Sequence, residues 1–223
     1  MVPVLDHGFL ALDGSLASDL AVVNGARVSF NQASDEMGER DEGLIRFLIR
    51  ERHGSPFEHG YFRFVVKAPL FVVREHHRHR AGHSYNEWSG RYSKMEPEFY
   101  VPENVRTQVG KPGAYSFEPV EDDVRENAQR EIEENAIRAF QAYERMLEQG
   151  VAKEVARSVL PLSTYTKYYW SCNPRSLMHF CSLRNHEAAQ YEIRQYAAAA
   201  ETFLERLMPI THAAFVANGR TSP

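Results

Sequence analysis

Tyr61-Phe62-Arg63-Phe64-Val65-Val66-Lys67-Ala68-Pro69-Leu70-Phe71-Val72-Val73-Arg74-Glu75-His76-His77-Arg78-His79 changes its hydrophobic period part-way along. Up to Lys67, the residues Phe62, Phe64 and Val66 alternate with more polar neighbours, the period of a strand with one buried face. Pro69 breaks that strand and suits the first turn of a helix running from Leu70 towards His79. On such a helix Glu75, Arg78 and His79 share one face, because residues three and four apart are neighbours. A strand feeding a helix whose exposed end carries cations and a carboxylate points to an α+β protein with a ligand site at that end.

The next stretch, Arg78-His79-Arg80-Ala81-Gly82-His83-Ser84-Tyr85-Asn86-Glu87-Trp88-Ser89-Gly90-Arg91-Tyr92, crowds cations, hydroxyls and a carboxylate together with no packing reason to do so. Arginine forks match phosphate and carboxylate oxygens two at a time, so an anionic, oxygen-rich ligand fits them. Tyr85, Trp88 and Tyr92 can face a flat base or simply pack in the core. On residue chemistry alone, Arg74, Arg78, Arg80 and Arg91 also read as a solvated basic face or a nucleic-acid patch. His76, His77, His79 and His83 raise the question of a metal, but adjacent arginines repel a cation and no carboxylate-rich ligand set accompanies them. The expectation is no metal.

Further out, Asp41 reads as the N-cap of a helix through Leu44, Phe47 and Leu48 that ends before His53-Gly54-Ser55-Pro56. Glu96 to Pro119 is rich in Pro and Gly and reads as a long connection with one short strand at Phe99 to Val101. Glu121 to Gln149 carries an apolar stripe from Val124 to Leu147 and ends at Gly150, a long amphipathic helix. A short helix follows from Ala152 to Leu160, stopped by Pro161. Thr164 to Trp170 is β-branched and aromatic, hence a strand. Asn173-Pro174 is an N-cap and first-turn proline opening a helix through Leu183, and Glu187 to Leu207 is a further helix ended by Pro209. The tail from Asn218 to Pro223 has nothing evident to hold it and is expected to fray.

Composition sets bounds on partners. The chain has 223 residues, 43% of them hydrophobic and 25% charged, enough for one sizeable core, and a single domain over residues 1–223 is expected. A formal charge of -4 gives no general attraction to nucleic acid or to an anionic membrane. No apolar run approaches membrane-spanning length, and the start lacks the basic end and apolar centre of a signal peptide, so a cytoplasmic location is expected. Cys172 and Cys181 lie nine positions apart in expected helix and read as buried or half-buried free thiols.

The stretch from Arg78 to Tyr92 resembles the signature of the flavin-dependent thymidylate synthases, an Arg-His-Arg followed after a short spacer by Asn-Glu-x-Ser-x-Arg-Tyr. Other blocks in the same order extend the resemblance from Ala26 to Leu207: His53-Gly54-Ser55-Pro56-Phe57-Glu58-His59, Ala68 to Arg74, Glu154-Val155-Ala156-Arg157 with Leu160-Pro161, and Asn173-Pro174-Arg175-Ser176-Leu177 with Leu183-Arg184. The resemblance implies an α+β fold, an antiparallel sheet packed with long helices, assembling as a homotetramer whose sites draw on several subunits. It implies dTMP synthesis from dUMP, with methylenetetrahydrofolate as carbon donor and FAD, reduced by NADPH, as hydride source.

Residue by residue, the resemblance puts Arg184 beside the uracil imide, where a guanidinium would raise electron density at C5. Arg78, Ser89, Gly90, Arg91 and Arg157 would hold phosphate and sugar, and Glu75 and Glu87 fall at nucleotide positions. Ser55, Glu58, Arg78, His79, Arg80, Glu87, Asn173, Arg175 and His179 fall at flavin positions, and His53 at the face for folate and nicotinamide. No glycine-rich dinucleotide fingerprint follows a strand, so the flavin site must be particular to this fold. The chain departs from the family pattern at Glu75, often glutamine, at His179, commonly asparagine, and in a spacer of eight residues from Ala81 to Trp88, where seven is commoner.

Overall fold

The computed structural model describes residues 1–112 and 114–223. Its strands are β1 (Val2–Val4), β2 (Gly8–Ser15), β3 (Phe62–Pro69), β4 (His83–Glu87), β5 (Arg106–Lys111), β6 (Ala114–Pro119) and β7 (Tyr165–Cys172). Five of them form one antiparallel sheet in the order β1-β2-β3-β7-β4, while β5 and β6 pair separately. The helices are α1 (Asp19–Arg27), α2 (Asp41–Arg50), α3 (Leu70–His76), α4 (Asp122–Glu148), α5 (Lys153–Ala156), α6 (Pro174–Arg184), α7 (Tyr191–Leu207) and α8 (Pro209–Ala217). The α+β class and the antiparallel sheet agree with the sequence.

The alternation in β3 buries Phe62, Phe64, Val66 and Ala68 on the face that α6 and α7 cover. Tyr168, Trp170 and Cys172 of β7 point the same way, and Phe64 lies against both Trp170 and Phe203 of α7 at ring-centroid distances of 5.0 and 5.5 Å. Removing each of these rings from water stabilises the fold by about 1.5–3 kcal/mol. A second apolar cluster, of Met95, Phe140, Tyr143 and Ala156, fastens α4 to α5.

Because β3 and β7 run antiparallel, Pro69 faces Tyr165 and Phe62 faces Cys172. The helices α3 and α6 therefore leave the sheet from opposite ends. Buried His76, at the end of α3, pins them together: its ring stacks on Phe180 of α6 at 4.6 Å and abuts Trp170 at 4.3 Å, and its Nδ1 pairs with the Tyr168 hydroxyl at 2.6 Å. Burial holds this imidazole neutral, with its pKa well below the usual value.

Several local expectations need correction. The α3 helix stops at His76, and Pro69 is its extended N-cap as well as the last residue of β3, so Arg78 and His79 lie in the turn beyond. Arg40, not Asp41, is the N-cap of α2; the buried Asp41 carboxylate instead accepts from Gly38 N at 2.7 Å and pairs with Arg27. The segment from Glu96 to Pro119 contains the β5–β6 pair, and Phe99 makes only an isolated bridge to Thr164. Cys172 ends a strand rather than lying in helix, and α7 begins at Tyr191 rather than Glu187.

The tail is held. Arg220 Nε donates to Glu201 at 3.1 Å, Ser222 Oγ donates to Arg175 O at 3.1 Å, and Arg175 Nε donates to Pro223 O at 2.7 Å.

Candidate active site

The strand β7 delivers Asn173 directly to the start of α6, where its side-chain oxygen accepts from Ser176 N at 2.8 Å as the sequence requires of an N-cap. One residue into the helix, Arg175 reaches back across Gly54, whose missing Cβ would lie 2.6 Å from the guanidinium carbon. Arg175 Nη1 binds Glu58 Oε1 at 2.5 Å. Thus the loop from His53 to Glu58 and the start of α6 are joined by one arginine, although more than a hundred residues separate them in sequence, with |i−j| of 117 for that bond.

A cleft of about 620 Å³ opens there, lined by Arg52, Glu58, Gly82, Asn173, Arg175 and His179 among others, including Ser222 and Pro223 of the tail. Gly82 forms part of its wall in a left-handed conformation, φ 71°; a Cβ there would overlap Ser176 Oγ and approach Asn173 Nδ2 to 3.0 Å. Gly82→Ala is therefore expected to shift the loop into the cleft and weaken ligand binding by tenfold or more, on the order of 1.4 kcal/mol, a loss that a flavin titration reads directly.

A second opening, about 470 Å³, adjoins the first through Ala81 and His179 and is lined by Arg78, His79, Arg80, His83, Leu183 and Arg184. At its back Arg184 Nε donates to His79 Nε2 at 3.0 Å, and Arg184 Nη1 donates to Glu75 Oε2 at 3.0 Å. Burial, then the Arg184 charge, then His83 and His179 bring His79 down to a pKa of about 4, so it is neutral and accepts from arginine. His83 is likewise lowered to about 4, by burial and then His179, and its Nδ1 accepts from Trp170 Nε1 at 2.9 Å. Burial raises the Glu75 carboxyl, against the pull of Arg184. Tyr85 donates to the His76 and His79 carbonyls at 3.1 and 2.9 Å, fixing the turn that presents Arg78 and His79.

Expected nucleotide residues fall elsewhere as well. Glu87 ends β4 and accepts from buried Thr166 at 2.8 Å. Beyond it Ser89, Gly90 and Arg91 lie beside Arg157, whose Cδ would be 3.3 Å from a Cβ on Gly90. Trp88 packs on the second apolar cluster, and Tyr92 is exposed beneath Arg91, 5.0 Å from its ring. Ring contact at 5.4 Å places His53 against Phe47.

Among the described residues no group of three or more His, Cys, Asp or Glu is arranged to hold a metal, and no helix is long and apolar enough to cross a membrane. Both cysteines are buried, and burial pushes both thiols up, which unfits them as nucleophiles. The parts of the site that sequence reasoning missed are the Thr166 partner of Glu87 and the tail residues at the cleft rim. Neither carries a local signal, since each is brought in by a distant element.

Fold and site together define an α+β enzyme domain whose joined clefts, lined by arginine, neutral histidine and amide, suit an anionic nucleotide-like ligand. A family model described as thymidylate synthase complementing protein matches residues 12–210. Flavin-dependent thymidylate synthases from Streptomyces coelicolor and Kosmotoga olearia are 48% and 43% identical, over 94% and 96% of this chain and 91% and 93% of theirs. The crystal structure of the UMP/dUMP methylase PolB from Streptomyces cacaoi bound with 5-Br dUMP superposes with a TM-score of 0.91 at 44% identity, covering 100% of both chains. This chain belongs to the flavin-dependent thymidylate synthase family.

Proposed function

We propose that the chain converts dUMP to dTMP, taking the carbon from methylenetetrahydrofolate and using FAD reduced by NADPH. The observation that carries this reading is that the family match spans every residue lining the second cleft and all those lining the first except Ser222 and Pro223, with Arg184 held at the back of the second by two acceptors. The flavin residues are Ser55, Glu58, Arg78, His79, Arg80, Glu87, Asn173, Arg175 and His179. The nucleotide residues are Glu75, Arg78, Glu87, Ser89, Gly90, Arg91, Arg157 and Arg184, and His53 stands at the folate and nicotinamide face.

The donor set fits a flavin nucleotide: Arg175, Asn173 and His179 supply cationic and neutral donors, and Gly54 and Gly82 let Arg175 and Ser176 pack closely against the loops around the cleft. Bound flavin supplies the hydride. The protein's own task is to hold the uracil ring and polarise it. A guanidinium stays protonated, so Arg184 acts as an electrostatic activator of C5 and not as a base. Ser89 binds phosphate and is no nucleophile, since among the described residues no base is positioned on it: its Oγ accepts there from Arg91 alone, from its N and Nε at 3.3 and 3.4 Å.

The chain assembles as a homotetramer whose sites draw residues from several subunits. The whole chain acts as one domain in the cytoplasm, with no nucleic-acid or membrane partner.

The test is the visible spectrum of the protein with FAD, repeated anaerobically with NADPH, followed by a dTMP assay run in parallel on dUMP and UMP. Flavin bands that bleach, with product from dUMP, bear the reading out. Failure to bind flavin at any concentration sinks it. Product from UMP at a comparable rate would widen the substrate to the ribonucleotide.

A further inference from the structure

Arg184 has three nitrogens that can donate, and two are already spoken for within the chain. Nε is taken by His79 and Nη1 by Glu75, each at 3.0 Å, while among the described residues Nη2 has no acceptor. The two acceptors come from the last turn of α3 and the turn just after it, and the donor from the last residue of α6. The end of α3 is packed on α6 by His76 against Phe180, and the turn after it is fixed to β4 by the Tyr85 hydroxyl, which donates to the His76 and His79 carbonyls. His79 is itself 8% exposed and packs edge-on against Phe180 at 5.0 Å. Its accepting Nε2 places its proton on Nδ1.

A planar guanidinium gripped at two of its nitrogens has one orientation left. We propose that Glu75 and His79 are positioning residues, a two-acceptor clamp that fixes the plane of Arg184 and leaves Nη2 to meet the pyrimidine. The proposal rests on the synthase reading above. It gives a role to the carboxylate at position 75: set against a bound phosphate it would repel, whereas set against Arg184 it is neutralised and orients the one cation aimed at the ring. It also separates His79 from the other flavin residues, since its lone pair is turned towards Arg184 and not into the first cleft.

The experiment uses flavin-loaded enzyme and the variants His79→Leu, His79→Gln, Glu75→Ala and Glu75→Gln, each made also in an Arg184→Ala background. Flavin affinity, dUMP affinity from the perturbed spectrum of bound flavin, and turnover are read separately. Misplacing a reacting group by an ångström costs about a hundredfold, so His79→Leu and Glu75→Ala are expected to lower turnover by about 10- to 100-fold, with flavin affinity unchanged in Glu75→Ala. The glutamine variants keep an acceptor oxygen and should retain most of the turnover. In the Arg184→Ala background the same substitutions should cost nothing further, because the group they position is gone.

A loss in Glu75→Ala that falls on flavin affinity, or a loss of turnover in either position that persists in full without Arg184, overturns the clamp. If wild-type enzyme binds flavin and dUMP but makes no dTMP, the synthase reading fails instead. The clamp is then judged by dUMP affinity alone, where the same dependence on Arg184 must appear or the clamp falls too.

Discussion

Replacing Arg184 by alanine is expected to cut dTMP formation by about a hundredfold or more while flavin binding stays intact. The reason is electrostatic. Carbon 5 of uracil is a weak nucleophile, and a preorganised cation beside the imide is worth several kcal/mol when it acts on charge that develops only in the transition state. Arg184 is preorganised by two hydrogen bonds of 3.0 Å and lies only partly open, with its side chain 22% exposed. Lysine should not rescue it, because an ammonium cannot donate to His79 and Glu75 and still present a further planar edge. Separate measurement of kcat and of flavin and dUMP affinity decides the matter: a fall confined to flavin affinity would show that Arg184 serves the cofactor and not the ring.

Acidification from pH 7 to pH 5 is expected to weaken the fold by on the order of a few kcal/mol, well before the carboxylates titrate. Burial lowers the pKa of His76, His77, His79 and His83, the latter two to about 4 from an ordinary 6.5. An unfolded chain takes up protons on these groups as pH drops through 6.5, whereas in the folded protein all four resist protonation at that pH, His79 and His83 until near 4. The unfolded state therefore binds more protons across that window, and stability is full above it and falls within it.

Below about pH 4.5 other groups add to the loss. Glu192 and Glu201 are both buried, but hydrogen bonds outweigh that, from Arg106 to Glu192 and from Asn185 and His212 to Glu201; their lowered pKa values make protonation cost the fold further. Glu75, raised by burial, works in the opposite sense and softens the drop slightly. Urea midpoints at pH 7, 6 and 5 check this. A midpoint that stays flat over that range would mean the imidazoles are solvated.

The site was legible to different depths in different places. Arg78, His79 and Arg80 announced themselves by chemistry, because cations, imidazoles and hydroxyls were crowded where no core requires them. Asn173-Pro174 was readable as an N-cap because capping is local: the side chain bonds a backbone N–H three residues on, 2.8 Å away. The joining of Arg175 to Glu58 was not readable, since it depends on β7 and the loop after α2 being brought side by side by the sheet.

The misread segments share that reason. Arg106–Lys111 carries glycine and charge, weak strand formers, and owes its strand state to the strand it pairs with. The tail was expected to fray because nothing within it is sticky. It is instead held by Arg175, Ser182 and Glu201, all distant in sequence.

By itself, the sequence determined the period-two face of β3 and the apolar stripe of α4. It also determined the Asn173 cap and the family, because each rests on neighbouring residues or on motif blocks. Only the tertiary structure decided that Glu75 and His79 would meet Arg184, and that Arg175 would meet Glu58. Those relations depend on which strands pair and on the opposite directions in which α3 and α6 leave the sheet, and no run of adjacent residues encodes a distance across a fold.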